Sequence, residues 1–459
     1  MFSPRLSALF ALCALLVPAP RAESQAPRLS EAARWLQEYI RIDTSNPPGN
    51  EGKAVAYLAG LLQKEGIASR SIPNPEGRPS LYARLSSPRS GGKALVLLHH
   101  MDVVPAGPGW KVPPFSGLVS DGMLWGRGAI DDKSLGISQL AAFIDLHRKK
   151  VPLERDVIYL AVPDEENGGL AGAAWLLQKH PELFRGVEAV MGEGGRSQIG
   201  AGGKILFWGI EVAQKRPLWL EVTASGRGGH GSGLNPGSAN HQLVQGLARV
   251  LALPPRWHVS EAARVYCKAI APIHNERMRR ALADIDKVVT PAGPKEFLMP
   301  GMANLFLDTV QVTVLSGGSR INVIPERASA RIDVRLLPDT DANAFLEQIK
   351  KALGKGIDVK VLVTSPPVAP SPAQGRFWQA LEKGLGDAPV VPTFIAGFTD
   401  SRFFRERGIA AYGVNPVALS GEDSRGIHNP DERIPLAAFD RGVERTRRIV
   451  ALYAAPAAR

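Results

Sequence analysis

Cysteine is nearly missing from this 459-residue sequence: Cys13 and Cys267 are the only two. Cys13 lies within an N-terminal run that reads as an export leader, so the processed chain keeps one thiol and has no internal disulfide framework. Leu12 stands directly before Cys13, where lipid attachment needs a small residue, which argues against an anchor there. Long apolar runs are also missing. Beyond the leader, no stretch reaches the roughly 18 apolar residues of a spanning helix, so no stable membrane span is expected after processing. Aromatic residues make up 7% of the chain, and its Lys and Arg residues are scattered. They form no basic stripe interleaved with aromatics, so nucleic acid is not an expected partner. The net charge of +11 instead describes a soluble basic protein whose surface can draw in small anions. Several catalytic signatures are absent too. There is no Gly-x-Ser-x-Gly elbow and no His-Glu-x-x-His, which argues against a serine hydrolase and a single-zinc protease. Gly126-Arg127-Gly128 is followed by Asp131 where a dinucleotide fingerprint needs its third glycine.

The leader, residues 1–24, opens with Arg5, continues through a run from Leu6 to Val17 that is apolar except for Ser7, and ends in small residues near Ala19 and Ala22. It predicts a secreted or periplasmic protein. After it, helical spacing at Ser30–Ile42 and Ala54–Glu65 precedes three short apolar runs, Ala94–Leu98, Asp156–Val162 and Ala189–Met191. Each run has the composition of a strand buried on both faces. Helical segments at Leu135–Lys149 and Gly172–Lys179 separate them, which predicts an α/β class with a mixed, largely parallel sheet flanked by helices. Near Pro217 the pattern changes. Leu218–Ala224 alternates, and the order becomes β-α-β-β-α-β with a helical insertion at Ser260–Val289, an α+β, ferredoxin-like arrangement. After the Pro-rich Ser365–Ala373 the α/β pattern resumes. The chain therefore divides into a first catalytic segment at 25–213, an inserted lid or dimerisation unit at 214–365, and a second catalytic segment at 366–459.

Polar residues follow each buried run: His99, His100 and Asp102; Asp164, Glu165 and Glu166; and Glu193. Open α/β sheets build their sites at such carboxyl ends. With Asp131, Asp132 and His428, these residues offer the imidazole nitrogens and carboxylate oxygens that zinc prefers. Two Zn2+ carry about +4, which three carboxylates and one hydroxide would balance in a partly desolvated site. Of the adjacent Glu165 and Glu166, an extended strand end would send one toward metal and the other toward the attacking water.

Five segments occur in order: His100-Met101-Asp102-Val103-Val104-Pro105, Gly126-Arg127-Gly128-Ala129-Ile130-Asp131-Asp132-Lys133, Asp164-Glu165-Glu166, Gly192-Glu193-Gly194-Gly195 and His428-Asn429-Pro430-Asp431-Glu432-Arg433. Together they resemble the di-zinc metallopeptidase family twenty of aminoacylases, glutamate carboxypeptidases and carboxypeptidase S, over nearly the whole mature chain. Lys133-Ser134 stands where that family often has Lys-Gly. The resemblance implies Asp131 as the bridging ligand, His100 and Glu193 completing one zinc, and Glu166 and His428 the other, with Co2+ or Mn2+ as substitutes. It implies Glu165 as general base, Asp102 holding the far nitrogen of the His100 ring, and a cis peptide between Asp131 and Asp132. His230, in Gly226-Arg227-Gly228-Gly229-His230-Gly231-Ser232, is similar to a family histidine that reaches the active site on closure, often from a dimer partner. Asn322, Arg335, Gly397 and Thr399 resemble substrate-binding positions; the fork of Arg335 suits a carboxylate.

The activity so implied is hydrolysis, by a zinc-bridged water activated by Glu165, of an amide bond in an N-acyl amino acid or short peptide bearing a free carboxylate. A dipeptidase or carboxypeptidase would share every one of these residues. A non-catalytic binding protein that kept the fold would be expected to lose a ligand or the base, and all six are present. His99 is read as a packing or surface residue.

Overall fold

The computed structural model describes residues 28–89, 91–295 and 301–456, so the leader at 1–24 lies outside the described residues. Its main element is a nine-stranded sheet. Strand Ala94–His100 runs parallel to Asp156–Val162 on one side and to Val187–Gly192 on the other, and Ala410–Gly413 extends the parallel set. Ser69–Pro73 and Pro79–Leu85 close one edge antiparallel. Beyond Ala410–Gly413 the sheet continues through Ile205–Gln214 to Val390–Ile395. Every residue of Ala94–His100 and of Asp156–Val162 is buried, the consequence of helices covering both faces. Helix Lys133–Arg148 is buried along most of its length and packs against the C-terminal helix Leu436–Ala454.

The second sheet has four antiparallel strands in the order Thr309–Ser316, Arg327–Leu336, Arg216–Ser225, Ile357–Thr364. Along Arg216–Ser225, Leu218, Leu220, Val222 and Ala224 alternate onto one face. There they form a core with Leu243, Leu247 and Val250 of helix Ala239–Leu251 and with Phe345, Ile349 and Leu353 of helix Ala342–Leu353. Strands and helices thus follow the β-α-β-β-α-β order.

The helical insertion behaves differently. Its first helix, Glu261–Ile270, places Ala263, Tyr266, Cys267 and Ile270 in the core of the large sheet and packs against Val390–Ile395. The 214–365 stretch is therefore not packed as one body: part of it belongs physically to the large sheet. Among the described residues, no helix is long and apolar enough to cross a membrane.

Candidate metal centre

Three adjacent parallel strands, Asp156–Val162, Ala94–His100 and Val187–Gly192, end on the same side of the sheet. His100 is the last residue of its strand, Glu193 follows the next, and Glu165 and Glu166 follow the third. Asp131 comes from the loop that precedes helix Lys133–Arg148. One of its oxygens lies 3.1 Å from His100 Nε2 and the other 3.1 Å from His428 Nε2. Glu193 stands 3.7 Å from His100 Nε2, and Glu166 3.2 Å from His428 Nε2. Two ligand triads result, His100–Asp131–Glu193 and Asp131–Glu166–His428, sharing the Asp131 carboxylate. The Asp131–Asp132 peptide is cis. His428 adopts φ 58°, a left-handed conformation uncommon for a residue with a side chain.

The donor set matches the metal chemistry that the sequence suggests. Asp131, Glu166, Glu193, Glu165, Asp102 and Asp132 crowd one site whose imidazoles are His100 and His428. So many carboxylates, Asp102, Asp132 and Glu165 buried and the others half-buried, are costly to hold together without cations. One oxygen each of Glu165 and Glu166 is buried without a hydrogen-bond partner. Burial pushes the Glu165 and Glu193 carboxyls well above the usual carboxylate range, and neighbouring carboxylates add to the effect. Hydrogen bonds to Asp131 and Glu166 raise His428 to about 10. Protons and metal ions compete for such groups.

Two expectations about local geometry need correction. Asp102 does not grip His100 chiefly through its carboxylate, which stands 3.6 Å from Nδ1. Its backbone carbonyl accepts from Nδ1 at 2.8 Å. A carbonyl can only accept, so Nδ1 carries a proton, and Nε2 is the ring nitrogen that faces Asp131 and would meet a cation. The Asp102 carboxylate is engaged elsewhere, accepting from the amides of Glu165 and Glu166 at 3.2 Å each and from Asn46 at 2.8 Å. Nor do Glu165 and Glu166 diverge along an extended strand. They open a 3-10 turn, Glu165–Asn167, after Asp164 at φ 78°. The turn sends Glu166 to His428 and Glu165 into a small pocket with His100, Glu193, Asp400 and Ser401.

Glu432 was given no role on sequence grounds, yet it organises the site. Fully buried, its carboxylate accepts from the amides of Gly128, Ile130 and Asp131 and from Arg127. It thereby ties the His428 loop to the Asp131 loop. Glu432 stands four positions after His428, and that spacing is the one local hint. His99, read as packing or surface, is buried against Tyr39 and Tyr159, where burial lowers it to about 3.

The remaining sequence candidates fall elsewhere. His230 is exposed on the short strand Gly229–His230, with Nδ1 2.7 Å from Ser232 Oγ. Asn322 sits beside it, its carbonyl accepting from Gly231 at 2.9 Å. Among the described residues, neither makes a hydrogen bond to the ligand triads. Arg335 uses Nε and one Nη2 proton on Asp333, at 2.7 and 2.9 Å, which leaves its Nη1 edge for another anion. Gly397 and Thr399 border a cleft that opens at Asp131 and Glu193. The Thr399 hydroxyl is turned away into a bond with Gln214 at 3.1 Å.

The family model described as Peptidase family M20/M25/M40 matches residues 96–452. Human aminoacylase-1 is 27% identical over 434 residues, spanning 92% of this chain and 95% of that protein. The N-fatty-acyl-amino acid synthase/hydrolase of Xenopus tropicalis is 28% identical over 364 residues, spanning 75% of this chain and 69% of that one. In fold, the M20 family metallo-carboxypeptidase of Sulfolobus solfataricus superposes with a TM-score of 0.70 at 21% identity, covering 93% of this chain and 99% of its own. A dinuclear metal-binding peptidase of the M20 family from Bacillus subtilis gives 0.53 at 16% identity, covering 92% and 98%. The protein is a metal-dependent hydrolase. The chain belongs to the M20/M25/M40 peptidase family.

Proposed function

We propose that the chain cleaves the amide bond of N-acyl amino acids with a free carboxylate, rather than dipeptides with a free amino end. The cleft beside the triads supports this choice. Its volume is about 780 Å3, and Leu135, Ile199, Ile395, Phe398, Val417 and Ile427 contribute apolar wall. Among the described residues, its carboxylates are Asp131, Asp132 and Glu193 of the metal centre, and its cations are Arg196 and Arg425. A dipeptide's ammonium would meet like charge there, whereas a neutral acyl group meets apolar surface.

His100, Asp131 and Glu193 would hold one cation, and Asp131, Glu166 and His428 the other; we take both to be Zn2+, with Co2+ or Mn2+ as substitutes. When bound, the cations supply Lewis acidity toward water and the amide carbonyl. Glu165 removes a proton from the attacking water as its oxygen bonds to the carbonyl carbon. As the C–N bond breaks, Glu165 returns that proton to the departing nitrogen. Asp102 holds His100 and the Glu165 turn in place. Arg335 and Asn322 receive the substrate carboxylate, with Gly397 and Thr399 shaping the adjoining wall. His230 donates to the developing oxyanion when the small sheet closes as a lid.

We assign the lid to residues 214–365 less the helix docked on the large sheet. Its edge strand Thr309–Ser316 exposes Val314 and Leu315, which supports a homodimer through this unit, with His230 and Asn322 entering a partner's site. The leader-like residues 1–24 support export to the periplasm or medium.

A panel of N-acyl amino acids, their α-carboxamides and the corresponding dipeptides tests the proposal. The acyl acids should give the highest kcat/KM. Faster turnover of dipeptides would reject it.

A further inference from the structure

The ring of Phe398 meets two guanidinium groups, Arg335 at 4.4 Å and Arg402 at 4.3 Å. The two arginines come from different sheets' surroundings: Arg335 lies on the small sheet's strand Arg327–Leu336, and Arg402 on the short helix Ser401–Arg405. Trp219, also of the small sheet, packs its ring 5.4 Å from that of Phe398 and donates to Asp333, the same carboxylate that grips Arg335. Phe398 is therefore one place where the small sheet touches the large unit beside the cleft.

On the other side, Arg402 is 2% exposed and stacks on Phe403 at 4.2 Å as well. Its Nη2 donates to the Gly168 carbonyl, while Nε and Nη1 are buried without hydrogen-bond partners. Contact with two rings compensates a guanidinium that lacks its full set of acceptors. Gly168 closes the turn that carries Glu165, donating to the Glu165 carbonyl at 2.8 Å. It has φ 103°, and an added Cβ would lie 3.4 Å from Val363 and 3.6 Å from Trp219 of the small sheet. A continuous path thus runs from Arg335 through Phe398 and Arg402 to the turn bearing Glu165.

From this we infer that Phe398 is a positioning and specificity-determining residue: its π face fixes the Arg335 guanidinium for the substrate carboxylate, with Arg402 locking the ring to the Glu165 turn. The inference rests on the proposed role of Arg335 in carboxylate binding. A plain apolar plug would serve as well with leucine; a cation–π joint would not, because leucine has similar bulk and no quadrupole.

Phe398→Leu, Phe398→Tyr and Phe398→Trp, each checked for a normal thermal melt, can be assayed on an N-acyl amino acid and its α-carboxamide. Phe398→Leu should raise KM for the acid by roughly 3- to 10-fold, the scale of a partly buried cation–π contact. KM for the carboxamide should stay within about twofold, since that substrate brings no anion to Arg335. At least one aromatic variant should keep the unsubstituted KM for the acid. Equal impairment of the leucine and both aromatic variants, or an equal shift on both substrates, would overturn the inference. Acid preference that survives intact in Phe398→Leu would overturn it while leaving the Arg335 reading standing. An unsubstituted enzyme that does not distinguish acid from carboxamide would bring down that reading and this one with it.

Discussion

The two sheets treat their polar residues in opposite ways. At the end of the large sheet, His100, Asp102 and Glu165 are buried, and Asp102, Glu432 and Asn46 fix their surroundings with a dense set of hydrogen bonds. Beyond the small sheet, His230 on a separate two-stranded ribbon and Asn322 beside it are exposed, and the histidine's hydrogen bonds stay local. The ligand side chains are therefore already gathered at the strand ends, while His230 and Asn322 stand apart from them. Preorganised groups carry the chemistry because their placement costs nothing at the moment of reaction. The exposed pair can instead respond to what is bound.

This contrast can be broken from the large-sheet side first. Asp131→Ala removes the carboxylate shared by both triads, so metal content and turnover should both be lost, as they should be on chelation; activity that persists would dissolve the two-triad picture. Glu165→Ala should lower kcat by about 10²- to 10⁴-fold while bound metal stays unchanged, because Glu165 is no member of either triad. Metal analysis beside the rate separates these two outcomes. Glu432→Gln keeps the shape but removes the charge facing Arg127, and metal affinity should fall by roughly 10- to 100-fold, the scale of changes one layer behind the ligands. On the small sheet, Arg335→Ala should raise KM for the free acid by about 10- to 100-fold, the worth of a hydrogen bond to a charged group, with metal content untouched. A loss of metal in that variant would erase the distinction between the sheets.

The positions of His100, Glu166 and Glu193 were legible in the sequence because each sits at or just past the end of a short apolar run, and such runs become central parallel strands; Asp131 and His428 lie in loops and were assigned as ligands only through the family resemblance. The ferredoxin-like order was legible for a similar reason: alternation from Leu218 to Ala224 marks a sheet with one covered face. What could not be read were relations set by distant chain. The amides that bind Glu432 lie 301 to 304 residues away from it. Helix Glu261–Ile270 has an evident apolar face, but a face does not state its partner, and it docks on the large sheet rather than the small one. That Asp102 meets Nδ1 of His100 more closely through its carbonyl than through its carboxylate was also not legible, because the two amides that draw the carboxylate away reach it only when the Glu165 turn folds back.

Metal counting in the intact chain reaches the central claim most directly. The unsubstituted protein and His428→Ala can be stripped, titrated with zinc and analysed for ions bound per chain. Two triads sharing Asp131 predict two ions in the unsubstituted chain and one in His428→Ala, with the His100–Asp131–Glu193 triad still filled. A single ion in the unsubstituted chain, or two retained without His428, would contradict the account.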